Sequence, residues 1–169
     1  MNRKLIIGIV GAFVAGIVLT GAVVYQSAPS LMMLEDESPY DFDTTVERFE
    51  EAVVAGGWSV LTVHDMQEVL AGHGHDVVGV KIYELCSSEY SAKILELDDE
   101  RIVSPLMPCR VSIYEKSNGN AYIGRMNSEL MARPFGGVIN DVMQTAAVET
   151  EEVIADVLSD SPVQTADVR

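Results

Sequence analysis

The chain has few of the residues that most directly announce chemistry. It holds two cysteines, three histidines and one tryptophan in 169 residues. None of these falls into a spacing that makes a standard site. There is no Cys-x-x-Cys-His haem attachment, Gly-x-Ser-x-Gly elbow, phosphate-cradling glycine loop or His-Glu-x-x-His helix, so the sequence names no reaction. Basic residues are scarce too. Setting Arg3 and Lys4 aside, the eleven Lys and Arg fall to nine against twenty-six Asp and Glu, a charge of −17. Phosphate backbones are bound by basic clusters that release counterions, and none occurs, which excludes nucleic acid as a partner. Paired acids such as Glu50-Glu51, Asp98-Asp99 and Glu151-Glu152 read as solvated helix faces in so acidic a chain.

What is present first is a long apolar run. Met1 to Lys4 is a short basic stub, and Leu5 to Tyr25 follows without a charge. As a helix rising about 1.5 Å per residue, that stretch spans the ~30 Å hydrocarbon layer. The competing reading, a cleaved signal peptide, needs a shorter apolar region and a small-x-small site. Cleavage after Ala28 would put Gln26 at the minus-three position and Pro29 directly behind the cut. The run therefore predicts a transmembrane helix over 5–25. Arg3 and Lys4 precede it while Glu35, Asp36 and Glu37 follow it, which predicts a cytoplasmic N-terminus and an exported C-terminal domain. Gly8, Ala12 and Gly16 recur at four-residue spacing and would let a second helix pack closely.

Residues 26–41 carry Pro29, Ser30, Ser38 and Pro39 with an acidic run, the composition of a linker, interrupted by the apolar tether Leu31 to Leu34. Asp43-Thr-Thr then leads a helical stripe of Val46, Phe49, Val53 and Val54 that stops at Gly56-Gly57. Trp58 to Val63 alternates like a strand, and Asp65 caps a short helix that ends at Gly72-His-Gly-His75. Val77 to Leu85 is β-rich. Ser87 and Ser88 cap a helix carrying Tyr90, Ile94 and Leu95. Cys109 to Glu115 and Ala121 to Met126 flank Ser117-Asn-Gly-Asn120, a strong hairpin signal. Val138 to Leu158 is helical, with Ile139, Val142, Met143, Ala146, Val153, Ile154 and Val157 on its apolar face, and 159–169 reads as a disordered tail. The order predicts an α+β fold: a four-stranded, mainly antiparallel sheet with helices packed on one face, preceded by one transmembrane helix.

Gly57-Trp-Ser-Val60, the helix from Asp65 to Leu70, Lys81-Ile-Tyr-Glu-Leu-Cys86 and Met107-Pro-Cys-Arg-Val111 together resemble the domain-of-unknown-function 302 (DUF302) family. The similarity covers 42–158. In that family the first Cys is followed by Asn-Pro, whereas this chain has Cys86-Ser-Ser-Glu-Tyr-Ser-Ala92. The resemblance implies a compact α/β fold that often dimerises, and it brings no established catalytic residues.

Three readings of Cys86 and Cys109 stand open: buried thiols, a disulfide, or a redox or metal site. In an oxidising compartment a disulfide would close the 22 residues between them and stabilise by roughly 3 kcal/mol. A soft-metal version adds His73, His75 and Met107, suited to copper or zinc, although a solvated turn explains the histidines more simply. His64, beside the Asp65 cap, reads as a hydrogen-bonded residue. Of Cys109 and Arg110, one must point inward. No cofactor is required. The expected function is a non-catalytic, membrane-anchored binding or accessory domain, such as a subunit of a larger membrane complex or a homodimer. The alternative is an exported redox or copper-handling domain.

Overall fold

A computed structural model describes residues 3–159; the expected tail beyond Ser159 and Met1 and Asn2 of the stub lie outside the described residues. Helix α1 (Arg3–Met32) runs directly into strand β1 (Met33–Glu37). There follow α2 (Phe42–Ala55), β2 (Ser59–Asp65), α3 (Met66–Ala71), β3 (Val80–Cys86) and α4 (Ser88–Leu95). A 3-10 helix (Glu100–Leu106) leads to the hairpin of β4 (Cys109–Glu115) and β5 (Ala121–Met126), and α5 (Ser128–Ala132) and α6 (Gly137–Leu158) close the chain.

Local chemistry sets most of these boundaries. Asp41 accepts the Thr44 N–H at 2.8 Å and starts α2, and Asp65 accepts the Glu68 N–H at 2.9 Å and starts α3, each satisfying an amide that the first helical turn leaves unpaired. The hairpin turns at Gly119, whose φ of +82° is open to glycine without strain. Lys116 N–H donates to the Asn120 carbonyl across the turn at 3.1 Å. The resulting register sets Glu115 opposite Ala121 and Val111 opposite Arg125.

The sheet has five strands, in the order β1-β5-β4-β3-β2, and every neighbouring pair is antiparallel. This corrects the expectation of four. The extra strand comes from the stretch expected to be linker. An Asp-Glu-rich segment has poor intrinsic strand preference, but here each acid meets a cross-strand partner. Glu35 accepts from Lys116 Nζ at 2.6 Å and from the Tyr114 hydroxyl. Glu37 accepts from Asn120 Nδ2 at 2.7 Å and from the Tyr122 hydroxyl at 3.0 Å. Asp36, alternating to the other face, accepts from Arg125. The apolar helix correspondingly outruns the expected 5–25 span, continuing through Pro29 to Met32. Its segment Ile6–Met32, with a mean hydropathy of 2.5, is long and apolar enough to cross a membrane, and it is exposed except at the half-buried Ser27 and Ala28.

One face of the sheet carries the core. Phe49 and Val53 of α2 and Val153, Ile154 and Val157 of α6 pack on Tyr83, Leu85, Val111, Ile113 and Ile123. Phe49 meets Tyr83 edge-on, with ring centroids 5.1 Å apart. Side chains this deeply buried contribute roughly 1.5–3 kcal/mol each. Beside them, Arg125 of β5 is 8% exposed. Its Nε donates to Glu151 Oε1 of α6 at 2.9 Å, its Nη2 to the other Glu151 oxygen and its Nη1 to Asp36 of β1. Burial works against the guanidinium charge, but the Glu151 and Asp36 carboxylates outweigh it and hold the pKa above its ordinary value.

Breaking a fully buried ion pair costs about 3–5 kcal/mol. Both acids here keep almost half of their side-chain exposure, so Arg125→Met is expected to cost roughly 2 kcal/mol after discounting for solvent screening. Urea unfolding measures the loss, and hydrogen exchange locates it. The amides of β1 should exchange faster than those of β3, and equal acceleration in both strands would show that Arg125 does not pin β1.

Candidate functional site

The two cysteines meet at one end of the sheet. Strand β3 ends at Cys86 and β4 begins at Cys109, and the register sets Cys109 opposite Leu85, so Cys86 is one residue out of step. Successive strand residues face opposite sides, and the pair accordingly stands as two free thiols in the described structure. Both nevertheless line one small cavity of about 40 Å³, together with Met107, which precedes β4, and Met143 from α6. Trp58, Tyr90 and Ile94 complete much of its apolar wall.

Local contacts hold the walls in place. Cys86 Sγ lies 3.3 Å from Ser91 Oγ. The Tyr90 ring is tilted against Trp58, 6.1 Å between centroids, and its hydroxyl donates to Glu149 of α6. That bond to a carboxylate, joined by burial, pushes the Tyr90 pKa up to about 12. Burial pushes the Cys109 thiol up, and the neighbouring Cys86 adds to the shift. A thiol with a raised pKa is a poor nucleophile at neutral pH. A soft metal ion would instead displace its proton on binding.

Cys109 also borders a second, larger cavity of about 340 Å³ between β4, β5, α5 and α6. Its floor is Val111 and Arg125, and Leu34, Met126, Ala147 and Val148 supply apolar wall. Glu129, Glu151 and Glu152 lie at its margin. Arg125 already spends its donors on Asp36 and Glu151, which leaves an apolar slot with an acidic rim.

Of the pair in which one residue had to turn inward, Cys109 does, on the same face as Val111. Arg110 turns outward and donates to Glu84 Oε1 through Nη2 at 2.8 Å. The same oxygen lies 3.3 Å from His64 Nε2. The His64 contact and then Arg110 hold the Glu84 carboxyl below its usual range. His73 and His75 stand exposed in the turn after α3. That turn leads to the start of β3, whereas Cys86 closes the strand, so about 20 Å of extended chain lies between histidines and sulfurs. Met107 is brought to the thiols; the two histidines are not. Among the described residues, no group of three His, Cys, Asp or Glu side chains is placed to hold a metal ion. Gly8, Ala12 and Gly16 are exposed along α1, and an added Cβ at Gly8 or Gly16 would meet nothing within 4 Å. Sequence reasoning missed Met143 and Arg125. Met143 looked like one more apolar position of the last helix, and Arg125 carries no local signal at all.

The raised Cys109 pKa makes a kinetic prediction. In single-cysteine variants at pH 7, iodoacetamide should modify Cys86 faster than Cys109, and the gap should narrow as the pH rises. Peptide mass spectrometry reads both rates. Equal rates at pH 7 would contradict the burial assigned to Cys109.

A family model described as Domain of unknown function DUF302 matches residues 34–160, beginning one residue into β1 and leaving α1 outside. No curated protein matches the chain. Among solved structures, it is similar to one titled the crystal structure of an uncharacterized conserved protein DUF302 from Bacillus stearothermophilus. The TM-score is 0.67 at 20% sequence identity, over 76% of this chain and 99% of that one.

Proposed function

The chain belongs to the DUF302 family, and from that premise we propose that it is a DUF302 domain fixed to a membrane by α1, acting as a non-catalytic accessory or binding subunit of a membrane complex. The observation that carries this reading is the unbroken passage from α1 into β1. A 27-residue apolar helix segment reaches about 40 Å, enough for the hydrocarbon layer and part of the headgroup zone. It then becomes an edge strand of the domain, so anchor and domain form one mechanical piece with no slack between them. Arg3 and Lys4 before the helix and the acidic strand after it favour an N-terminus in the cytoplasm and an exported domain. The small residues Gly8, Ala12 and Gly16 offer a face on which a helix of a partner subunit, or of a second copy, would pack.

Purification of the full chain in mild detergent tests this. Extraction from membranes with a co-purifying membrane protein or as a dimer is the expected result, and recovery as a lone monomer overturns it. Gly8→Val with Gly16→Val should abolish the association while leaving the circular dichroism of the domain unchanged, because nothing in this chain occupies the space the new side chains enter.

A second reading, an exported copper-handling domain, is favoured by one observation: Cys86, Met107, Cys109 and Met143 share a single apolar cavity. Thiolate and thioether sulfur suit cuprous ion, and neither His73 nor His75 belongs to the set. Anaerobic titration with cuprous ion against a chromogenic chelator should give one bound ion per chain. Met143→Leu, which keeps the volume and removes the sulfur, should weaken binding about 10-fold or more, the range expected when a ligand-shell group is lost. No competition with the chelator would sink the copper reading.

A further inference from the structure

Helix α1 is exposed along almost its whole described length, and the half-buried exceptions are Ser27 and Ala28. Besides the adjoining β1, α5 packs on α1. Its cap residue Asn127 donates its backbone N–H to the Met32 carbonyl at 2.8 Å and its Nδ2 to the Leu31 carbonyl at 3.0 Å. Ser27 is one helical turn below Leu31, about 5–6 Å nearer the span. Helix α5 therefore starts level with Leu31 and packs on α1, in which Ser27 and Ala28 are the half-buried residues. Its chain ends in Arg133-Pro134-Phe135-Gly136, and Tyr25, which closes the most apolar stretch of α1, is 83% exposed.

This tip differs from the rest of the acidic surface in two respects. Phe135 leaves 48% of its surface in solvent, and Leu31, Met32 and Met33 beside the junction leave about half of theirs. The tip is also locally neutral. Within 127–137 the charged side chains are Glu129 and Arg133, which pair with each other, and 26–34 carries no charge. An aromatic ring and aliphatic side chains on a neutral surface, level with the end of a membrane span, match the headgroup boundary. We infer that the α5 tip is a foot seated in the headgroup layer of the bilayer that α1 crosses, with Phe135 as its apolar anchor. This rests on the membrane reading above and adds a second contact to it. The foot would fix the tilt of the domain as well as its height, and it would hold an acidic domain against a surface whose lipids repel its charge.

The test uses the full chain in phosphatidylcholine vesicles whose lipids are brominated near the headgroup end of one acyl chain. Phe135→Trp is compared with Leu61→Trp on β2, the opposite edge of the sheet, and each added emission is read above that of the native Trp58. Phe135 is half exposed, so the substitution leaves the core intact. The added Phe135→Trp emission should be blue-shifted and lose about half its intensity to the shallow bromines, as for a ring at the interface, while that of Leu61→Trp is unaffected. If the chain floats with vesicles after an alkaline wash but the two variants behave alike, the foot is wrong and the anchor stands. Blue-shifted but unquenched Phe135→Trp emission also overturns it, placing a protein partner over the tip. A chain that fails to float overturns the anchor and the foot together.

Discussion

Arg125 is where three otherwise separate parts of the molecule are tied together. Its guanidinium is a buried cation in an acidic domain, and its fork takes one carboxylate from β1 and both oxygens of another from α6. A planar guanidinium with rigidly placed donors can hold two acids at once, which an ammonium on a flexible stem cannot do with the same geometry. The consequence reaches beyond the ion pairs. An edge strand built from Met33, Leu34, Glu35, Asp36 and Glu37 has little apolar surface with which to stay in the sheet, so its attachment depends on polar pairing. Arg125 supplies that pairing on the core side, and Lys116, Tyr114, Asn120 and Tyr122 supply it on the other.

Because β1 is held, α1 is held. The apolar helix enters β1 without an intervening loop, and Asn127 ties its last turn to the start of α5. A domain on a flexible tether would sample many orientations relative to its helix; here the strand continues the helix directly, with no loop between them. The cost of such a junction is that it puts an exposed apolar helix at the domain edge, and α5 with its cap Asn127 is where that helix meets the domain. At the same end of the sheet, Cys109 borders both the sulfur-lined cavity and the larger slot above Arg125. Arg125 is itself part of the slot's floor, so the slot and the pin share β5, and any change in how β1 is seated bears on the walls of the slot.

Much of this was legible in the sequence wherever a signal is local. The Asn118-Gly119 turn, the stripe of Phe49 and Val53, the Asp65 cap and the apolar face of α6 are each decided by residues within a few positions of one another, and each stands where its pattern places it. Elements whose stabilisation is distant were not legible. Met33 to Glu37 reads as a solvated acidic stretch because the residues that make it a strand lie about ninety positions further along. The short α5 and the 3-10 helix Glu100–Leu106 have too few residues to show a period.

What the sequence by itself determined was the class of fold, the presence of a helix able to cross a membrane, and the likeness carried by Gly57-Trp-Ser-Val60 and Met107-Pro-Cys-Arg-Val111. These follow from hydrophobic period, caps and turn chemistry, which act over one or two turns of chain. The tertiary structure alone decided that Cys86 and Cys109 are out of register by one residue, that Met143 rather than His73 or His75 joins them, and that the acidic segment is strand rather than tether. Each depends on strand register or on a pairing across the sheet, and a one-residue change in register sends every side chain to the other face.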